Sequence, residues 1–145
     1  MRVTLSLRGD YAVRAMLALA QHAAAIEHDD ETPKLLSAAR IAVRMRIPGR
    51  FVAHVLSDLS RSGLVIGSTG RTGGYRLALP PERIELLQIV DAAEPDGGMP
   101  RCVLRGIPCD PLGHCAVHDA FGGATAALRA ELARTSLASL VKGSA

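Results

Sequence analysis

The sequence predicts a mainly α-helical chain with a small β-hairpin wing: a winged helix-turn-helix head followed by a long C-terminal helix suited to dimerisation. Three observations carry that prediction. Apolar residues recur at helical spacing on both sides of a tight Arg46-Ile47-Pro48 turn, a Gly-rich hairpin signal follows directly, and the positive charge of the chain is concentrated in that same stretch. Residues 37–79 hold seven arginines against one acid, Asp58, for a net +6, while residues 1–36 carry −1 and residues 80–145 carry −2. The overall +3 therefore conceals a basic middle, which suggests a face for a polyanion.

Val13, Met16, Leu17 and Ala20 place an amphipathic helix over residues 9–25, with Asp10 in its first turn. The acidic stretch from Glu27 to Pro33 has no periodicity and reads as an exposed loop. Ser37 can cap a helix running to about Met45, with Ile41, Ala42 and Met45 inward. A second helix follows from Gly49 to Ser62, with Val52, Val55, Leu56 and Leu59 inward and Gly63 as its left-handed stop. Its outer face carries Arg50, His54, Ser57 and Arg61. Leu64–Ile66 and Tyr75–Leu79 flank the Gly-rich turn 68–74 as a β-hairpin. Helix, turn, helix and hairpin in this order place the second helix in a major groove and the hairpin on the backbone or minor groove.

Behind Pro80-Pro81, the residues Leu86, Ile89, Val90 and Ala93 mark another helix, and Glu94 to Leu112 reads as an irregular Gly/Pro-rich loop. From His114 to about Arg134 the pattern is helical again, with Val117, Phe121, Ala124 and Leu128 as a heptad-like seam that pairing with a second subunit would bury. The organisation expected is therefore a DNA-binding head over residues 1–81 and a loop with dimerisation helices over residues 82–145. No apolar run of membrane-spanning length and no secretory leader is visible, so the expected location is the cytoplasm, with no membrane partner. The absence of Trp and the 3% aromatic content argue against stacking on single strands. No Gly-rich nucleotide loop, flavin motif or paired nucleophile and base is present, so an enzyme is not expected.

The three cysteines, Cys102 and Cys109 within the irregular loop and Cys115 at its exit, are separated by six and five residues. In a reducing compartment such a cluster reads as metal-binding or redox-active before it reads as a disulfide. Thiolates are soft ligands for zinc or an iron-sulfur cluster, and the wide gaps suit a polymetallic centre better than paired zinc motifs. A thiol-disulfide switch is the other reading. Candidates nearby for a further ligand are His114, His118, Asp110 and Asp119, with Asp10 distant in sequence.

Met1-Arg2-Val3-Thr4, Gly9-Asp10-Tyr11-Ala12-Val13-Arg14-Ala15-Met16, Leu59-x3-Gly63-Leu64-Val65, Gly73-Gly74-Tyr75-Arg76-Leu77 and the cysteine trio stand in an order that resembles the Rrf2-type bacterial regulators. The resemblance extends to Thr135–Val141. It implies a homodimer with winged-helix heads, a long helix at the interface and a cluster on the three cysteines. In NsrR-like members an aspartate in the first helix of the partner completes a four-iron cluster, and Asp10 falls at that place. In IscR-like members a histidine three residues after the last cysteine completes a two-iron cluster, and His118 falls there. The Gly9-Asp10-Tyr11 context favours Asp10 and a four-iron, four-sulfur cluster, with the two-iron, two-sulfur cluster and His118 as the alternative.

The function expected is a repressor that binds a pseudo-palindromic double-stranded operator as a dimer and senses nitric oxide, oxidative stress or iron-sulfur status. A zinc site or thiol-disulfide switch on the same head is the alternative. Arg50, His54 and Ser57 are expected in the major groove, with Phe51 flanking and Gly49 opening the helix, while Arg46, Arg71, Thr72 and Arg76 meet phosphate or the minor groove.

Overall fold

The computed structural model describes residues 1–29, 34–94, 101–109 and 112–143. Helix α1 (Leu7–His28) begins at Ser6, whose Oγ accepts the Gly9 N–H at 3.1 Å. It extends beyond both predicted ends, and residues 30–33 of the predicted acidic loop lie outside the described residues. One apolar seam was expected. Instead Ala12, Ala15, Met16, Ala18, Leu19, Ala20 and His22 are all buried, more than a single stripe, while Val13 and Leu17 pack half-buried against the same core. The alanines account for the difference, because their short side chains let neighbouring elements close in from more than one side.

Helix α2 (Ala38–Met45) is capped by Ser37 Oγ on the Arg40 N–H at 3.3 Å, and Ile41 and Ala42 are buried with Met45 half-buried beside them. Arg46 ends it in a left-handed conformation, φ 54°, and the Ile47 N–H closes the turn on the Ala42 carbonyl at 2.9 Å. Pro48 then opens α3 (Gly49–Arg61), whose Val52, Val55, Leu56 and Leu59 are buried as the periodicity predicts. Gly63 follows at φ 74°.

The wing is an antiparallel pair, β1 (Val65–Ser68) and β2 (Gly74–Leu77), with Val65 opposite Leu77 and Ser68 opposite Gly74. Its root is fastened to the head by Leu36, which exchanges backbone hydrogen bonds with Tyr75 at 3.0 and 2.9 Å. Gly74 permits that approach, since a Cβ there would sit 2.7 Å from the Leu36 carbonyl oxygen.

A 3-10 turn at Pro81–Arg83 leads into α4 (Leu86–Ala93), which buries Ile89 and Ala93. The described part of the following loop holds turns and an isolated bridge between Arg101 and Pro108. The long helix expected from His114 starts four residues later, as α5 (His118–Arg134), because a turn with the His118 N–H on the Cys115 carbonyl at 3.1 Å precedes it. No residue of α5 is buried, and Arg129 ties it to α4 by a two-pronged contact with Asp91 at 3.0 and 2.9 Å. Among the described residues no helix is long and apolar enough to cross a membrane.

Helix α6 (Leu137–Gly143) is not foreseen by the sequence reading. The chain turns back at Thr135, and the Leu86 N–H to Thr135 and Leu137 N–H to Ile84 hydrogen bonds, both 2.8 Å, staple it to the head. Leu137 is fully buried in the same core as α1, Ile84 and Ile89. Leu137→Ala should therefore lower the unfolding free energy by about 2–5 kcal/mol, measured by urea denaturation, as for other fully buried leucines. An unchanged midpoint would show that α6 is not part of the core.

Candidate nucleic-acid interface and thiol site

Burial of the inner face of α3 leaves Gly49, Arg50, His54, Ser57 and Arg61 exposed on the outer one. Pro48 makes no side-chain cap, so the first amides of α3, those of Gly49 and Arg50, sit at a helix N-terminus suited to a phosphate. Phe51 is half-buried and rests tilted on Tyr11 with ring centroids 5.7 Å apart, while the Arg50 guanidinium lies 4.9 Å from its ring centroid. That contact anchors the stem of Arg50 without consuming its hydrogen-bond donors. Arg46 is exposed on the turn, and Arg71 and Thr72 are exposed at the tip of the wing. Arg76 is exposed on β2 and donates to the Leu77 carbonyl at 3.3 Å. The expected DNA residues thus fall on three adjoining pieces: the turn, the outer face of α3 and the wing.

One feature of this face escapes the sequence reading. Asp58, the single acid of the basic stretch, is only 7% exposed and is gripped by both Arg8 of α1 and Arg61 of α3. Arg61 is thus engaged in an ion pair within the chain, and Arg8 joins α3 to the first turn of α1. The signal available in the sequence was Asp58 itself, a lone carboxylate among seven arginines.

The three cysteines converge. All are free thiols, with Sγ of Cys102 and Cys115 3.5 Å apart, Cys109 and Cys115 3.9 Å apart, and all three within 4.8 Å of one another. The loop makes this possible by folding on itself: Cys102 N–H donates to Ile107 at 2.8 Å and Gly106 N–H to Cys102 at 2.7 Å. Cys102 is buried, and the Leu104 amide, helped by that of Arg105 and the neighbouring thiols, overcomes the opposing effect of burial and lowers its pKa from 9.0 to about 7. Cys109 shifts upward: the Cys115 amide favours its thiolate, but burial and the adjacent Cys102 outweigh that. Ionisation within the pair is thus favoured at Cys102 and opposed at Cys109.

The set fits a soft metal centre. Two thiolates on one tetrahedral ion, with metal–sulfur bonds of about 2.3 Å, lie about 3.8 Å apart, close to the separations seen. A polynuclear cluster would spread the thiolates of Cys102, Cys109 and Cys115 over more than one iron, and residues 103–108, which lie between the first two, are all exposed.

The two candidates for a fourth ligand each have a neighbour within the chain. Both carboxylate oxygens of Asp10 are held by Arg14, at 3.0 and 2.9 Å, and Arg14 also donates to the Met45 carbonyl at 3.3 Å. His118 stacks on His114 with centroids 3.7 Å apart, and its ligating atoms group with those of His114 and Asp119, a set apart from the thiols. Asp110 lies outside the described residues.

Comparison with known proteins finds relatives in sequence and in fold. Residues 5–143 fit the model of the Rrf2 family, described as iron-dependent transcriptional regulators. A putative HTH-type regulator, rrf2-like, of Rhodobacter capsulatus is 35% identical over 69% of this chain and 65% of its own length, so the match spans less than two thirds of that relative. The regulator NMA1593 of Neisseria meningitidis is 30% identical over 95% of this chain and 87% of its own. The regulator IscR of Aliivibrio salmonicida is 35% identical over 68% of this chain and 54% of its own. Among solved structures, the fold is similar to IscR of T. potens (TM-score 0.74, 23% identity, 99% of this chain and 89% of that one). It is equally similar to CymR, titled the global cysteine regulator of B. subtilis (TM-score 0.74, 22% identity, 97% and 98%). The chain belongs to the Rrf2 family.

Proposed function

We propose that this chain is a cytoplasmic, homodimeric transcriptional regulator, acting as a repressor, whose grip on a pseudo-palindromic operator depends on an iron-sulfur cluster held by Cys102, Cys109 and Cys115. The observation that carries the reading is the convergence of three free thiols in a loop hung from a winged-helix head with an exposed arginine face. Bound there, a cluster would supply iron-centred reactivity toward nitric oxide or oxygen.

The chain's own residues do the rest. Arg50, His54 and Ser57 read or position on the major groove, and Arg46, Arg71, Thr72 and Arg76 take phosphate or the minor groove. The fourth ligand is Asp10 of the partner subunit, with His118 of the same chain as the alternative. An aspartate oxygen is a hard ligand and releases soft iron readily, which suits a sensor. Arg14 shares that carboxylate, so ligation by Asp10 competes with an ion pair.

Dimerisation falls to α5, which leaves Phe121 38% and Leu128 40% exposed on the predicted seam. Phe121→Lys should shift the sedimentation of the protein from dimer toward monomer; an unshifted dimer places the interface elsewhere.

A second reading, zinc or a disulfide switch on the same head, is favoured by the short Sγ separations, which already suit one tetrahedral ion. Anaerobic purification separates the two. Brown protein with visible absorbance and acid-labile sulfide is expected; colourless protein with one zinc per chain rejects the cluster. In the brown protein Asp10→Ala should lower iron retention and blunt the response of operator binding to nitric oxide, and His118→Ala should leave both near the parent. If both variants behave like the parent, neither residue is the fourth ligand. For the DNA face, Arg50→Ala should weaken operator binding by about 1–3 kcal/mol in a fluorescence titration at fixed salt, the range for a base-reading arginine. Parental affinity would remove Arg50 from the interface.

A further inference from the structure

Glu94 closes α4 eight residues before Cys102, and its side chain reaches the start of α1, where Oε1 accepts the Ser6 backbone N–H at 2.7 Å. Ser6 is the cap of that helix, with its own Oγ on the Gly9 N–H. In a local capping box the hydroxyl serves the third helical amide while a Glu or Gln at that third position reaches back to the cap's own N–H. Helix α4 completes the second half of this pattern locally, through Gln88 Oε1 on the Glu85 N–H at 2.9 Å. In α1 the third position is Gly9, which has no side chain to reach back, and Glu94 supplies the missing carboxylate from another helix. The fit is close: a Cβ on Gly9 would lie 2.5 Å from Glu94 Oε1. The carboxylate also faces the positive end of the helix dipole.

The same turn of α1 carries Arg8, which reaches across to the buried carboxylate of Asp58 on α3. Two polar contacts, made by residues two apart at the start of α1, thus stand between the end of α4 and α3: Glu94 on Ser6, and Arg8 on Asp58. A buried carboxylate that loses one of its two arginines is left undercompensated, so release of Arg8 is felt on α3.

We propose that Glu94 is a positioning residue through which the state of the three thiols sets the reading helix. The proposal rests on the regulator reading above and adds the route. With the loop gathered, Glu94 completes the cap, the first turn of α1 stays formed and Arg8 holds Asp58. With the loop relaxed, the carboxylate withdraws, the Ser6 N–H loses its acceptor, the first turn frays and Arg8 lets go.

The test uses the full chain in loaded and metal-stripped forms, reading operator affinity and amide hydrogen exchange over residues 6–10. Loaded parent should bind operator about tenfold or more tighter than stripped parent, and Glu94→Ala should bring the two within about twofold at unchanged metal content. In loaded Glu94→Ala the amides of Gly9 and Asp10 should exchange about tenfold faster than in the parent. Glu94→Gln keeps an oxygen acceptor and should retain most of the parental difference. Gly9→Ala, which leaves the carboxylate but takes its place, should reproduce Glu94→Ala. A parental difference that survives Glu94→Ala overturns the link alone, as does an equal weakening of both forms, the mark of a plain structural cap. Loaded and stripped parent binding alike would overturn the regulator reading and the link with it.

Discussion

Helix α1 buries alanines at positions 12, 15, 18 and 20 along its 22 residues, and that short-side-chain surface lets α2, α3, α4, α6 and β2 all rest against it. Close packing around a small-residue helix gives each neighbour little freedom to slide independently. At its first turns Ser6, Arg8 and Arg14 fasten it to Glu94, Asp58 and the carbonyl of Met45. The apolar middle fixes which elements meet, and the polar end fixes how α1 is registered against the reading helix.

Charge follows the same division. Sinking Asp58 beneath α3 removes the one negative group from the outer face and spends Arg8 and Arg61 on it. What remains outside is uniformly basic or neutral: Arg46, Arg50, His54, Ser57, Arg71 and Arg76. For exposed groups this arrangement adds little to stability, but it leaves a surface whose field has one sign, and that is what phosphate recognition uses.

The elements legible in the sequence are those governed by local rules. Ser37, Gly63 and the spacing of Val52, Val55, Leu56 and Leu59 express capping and helical periodicity, which act over a few residues, and the structure places them as read. Helix α6 obeys no such rule. Seven residues cannot sustain a helix alone, and Leu137 becomes helical and buried because Ile84, Ile89 and α1 are there to cover it. The start of α5 was misjudged for a related reason: the turn that closes His118 on Cys115 belongs to the thiol loop and overrides the apolar pattern beginning at His114. The thiols were legible as a cluster because three cysteines in a Gly/Pro-rich loop have few other fates. The ion pair of Arg14 on Asp10 and the stacking of His114 on His118 were not legible, because each forms only once the chain turns locally to bring residues four apart together.

The thiol loop hangs between two helices of unequal freedom. Helix α4 is anchored by Ile89 and Ala93 in the core, whereas α5 buries nothing and is held to α4 by the fork of Arg129 on Asp91. A change in separation among the Sγ atoms can be absorbed by the exposed residues 103–108, by the first turn of α5 or by the last residue of α4. Yielding at the first two leaves the head unchanged. Yielding at the third moves Glu94, and with it the cap of the helix on which the whole head is packed. The loop therefore has a short mechanical path to the reading face only because a glycine at the third position of α1 leaves room for a carboxylate that α1 does not itself provide.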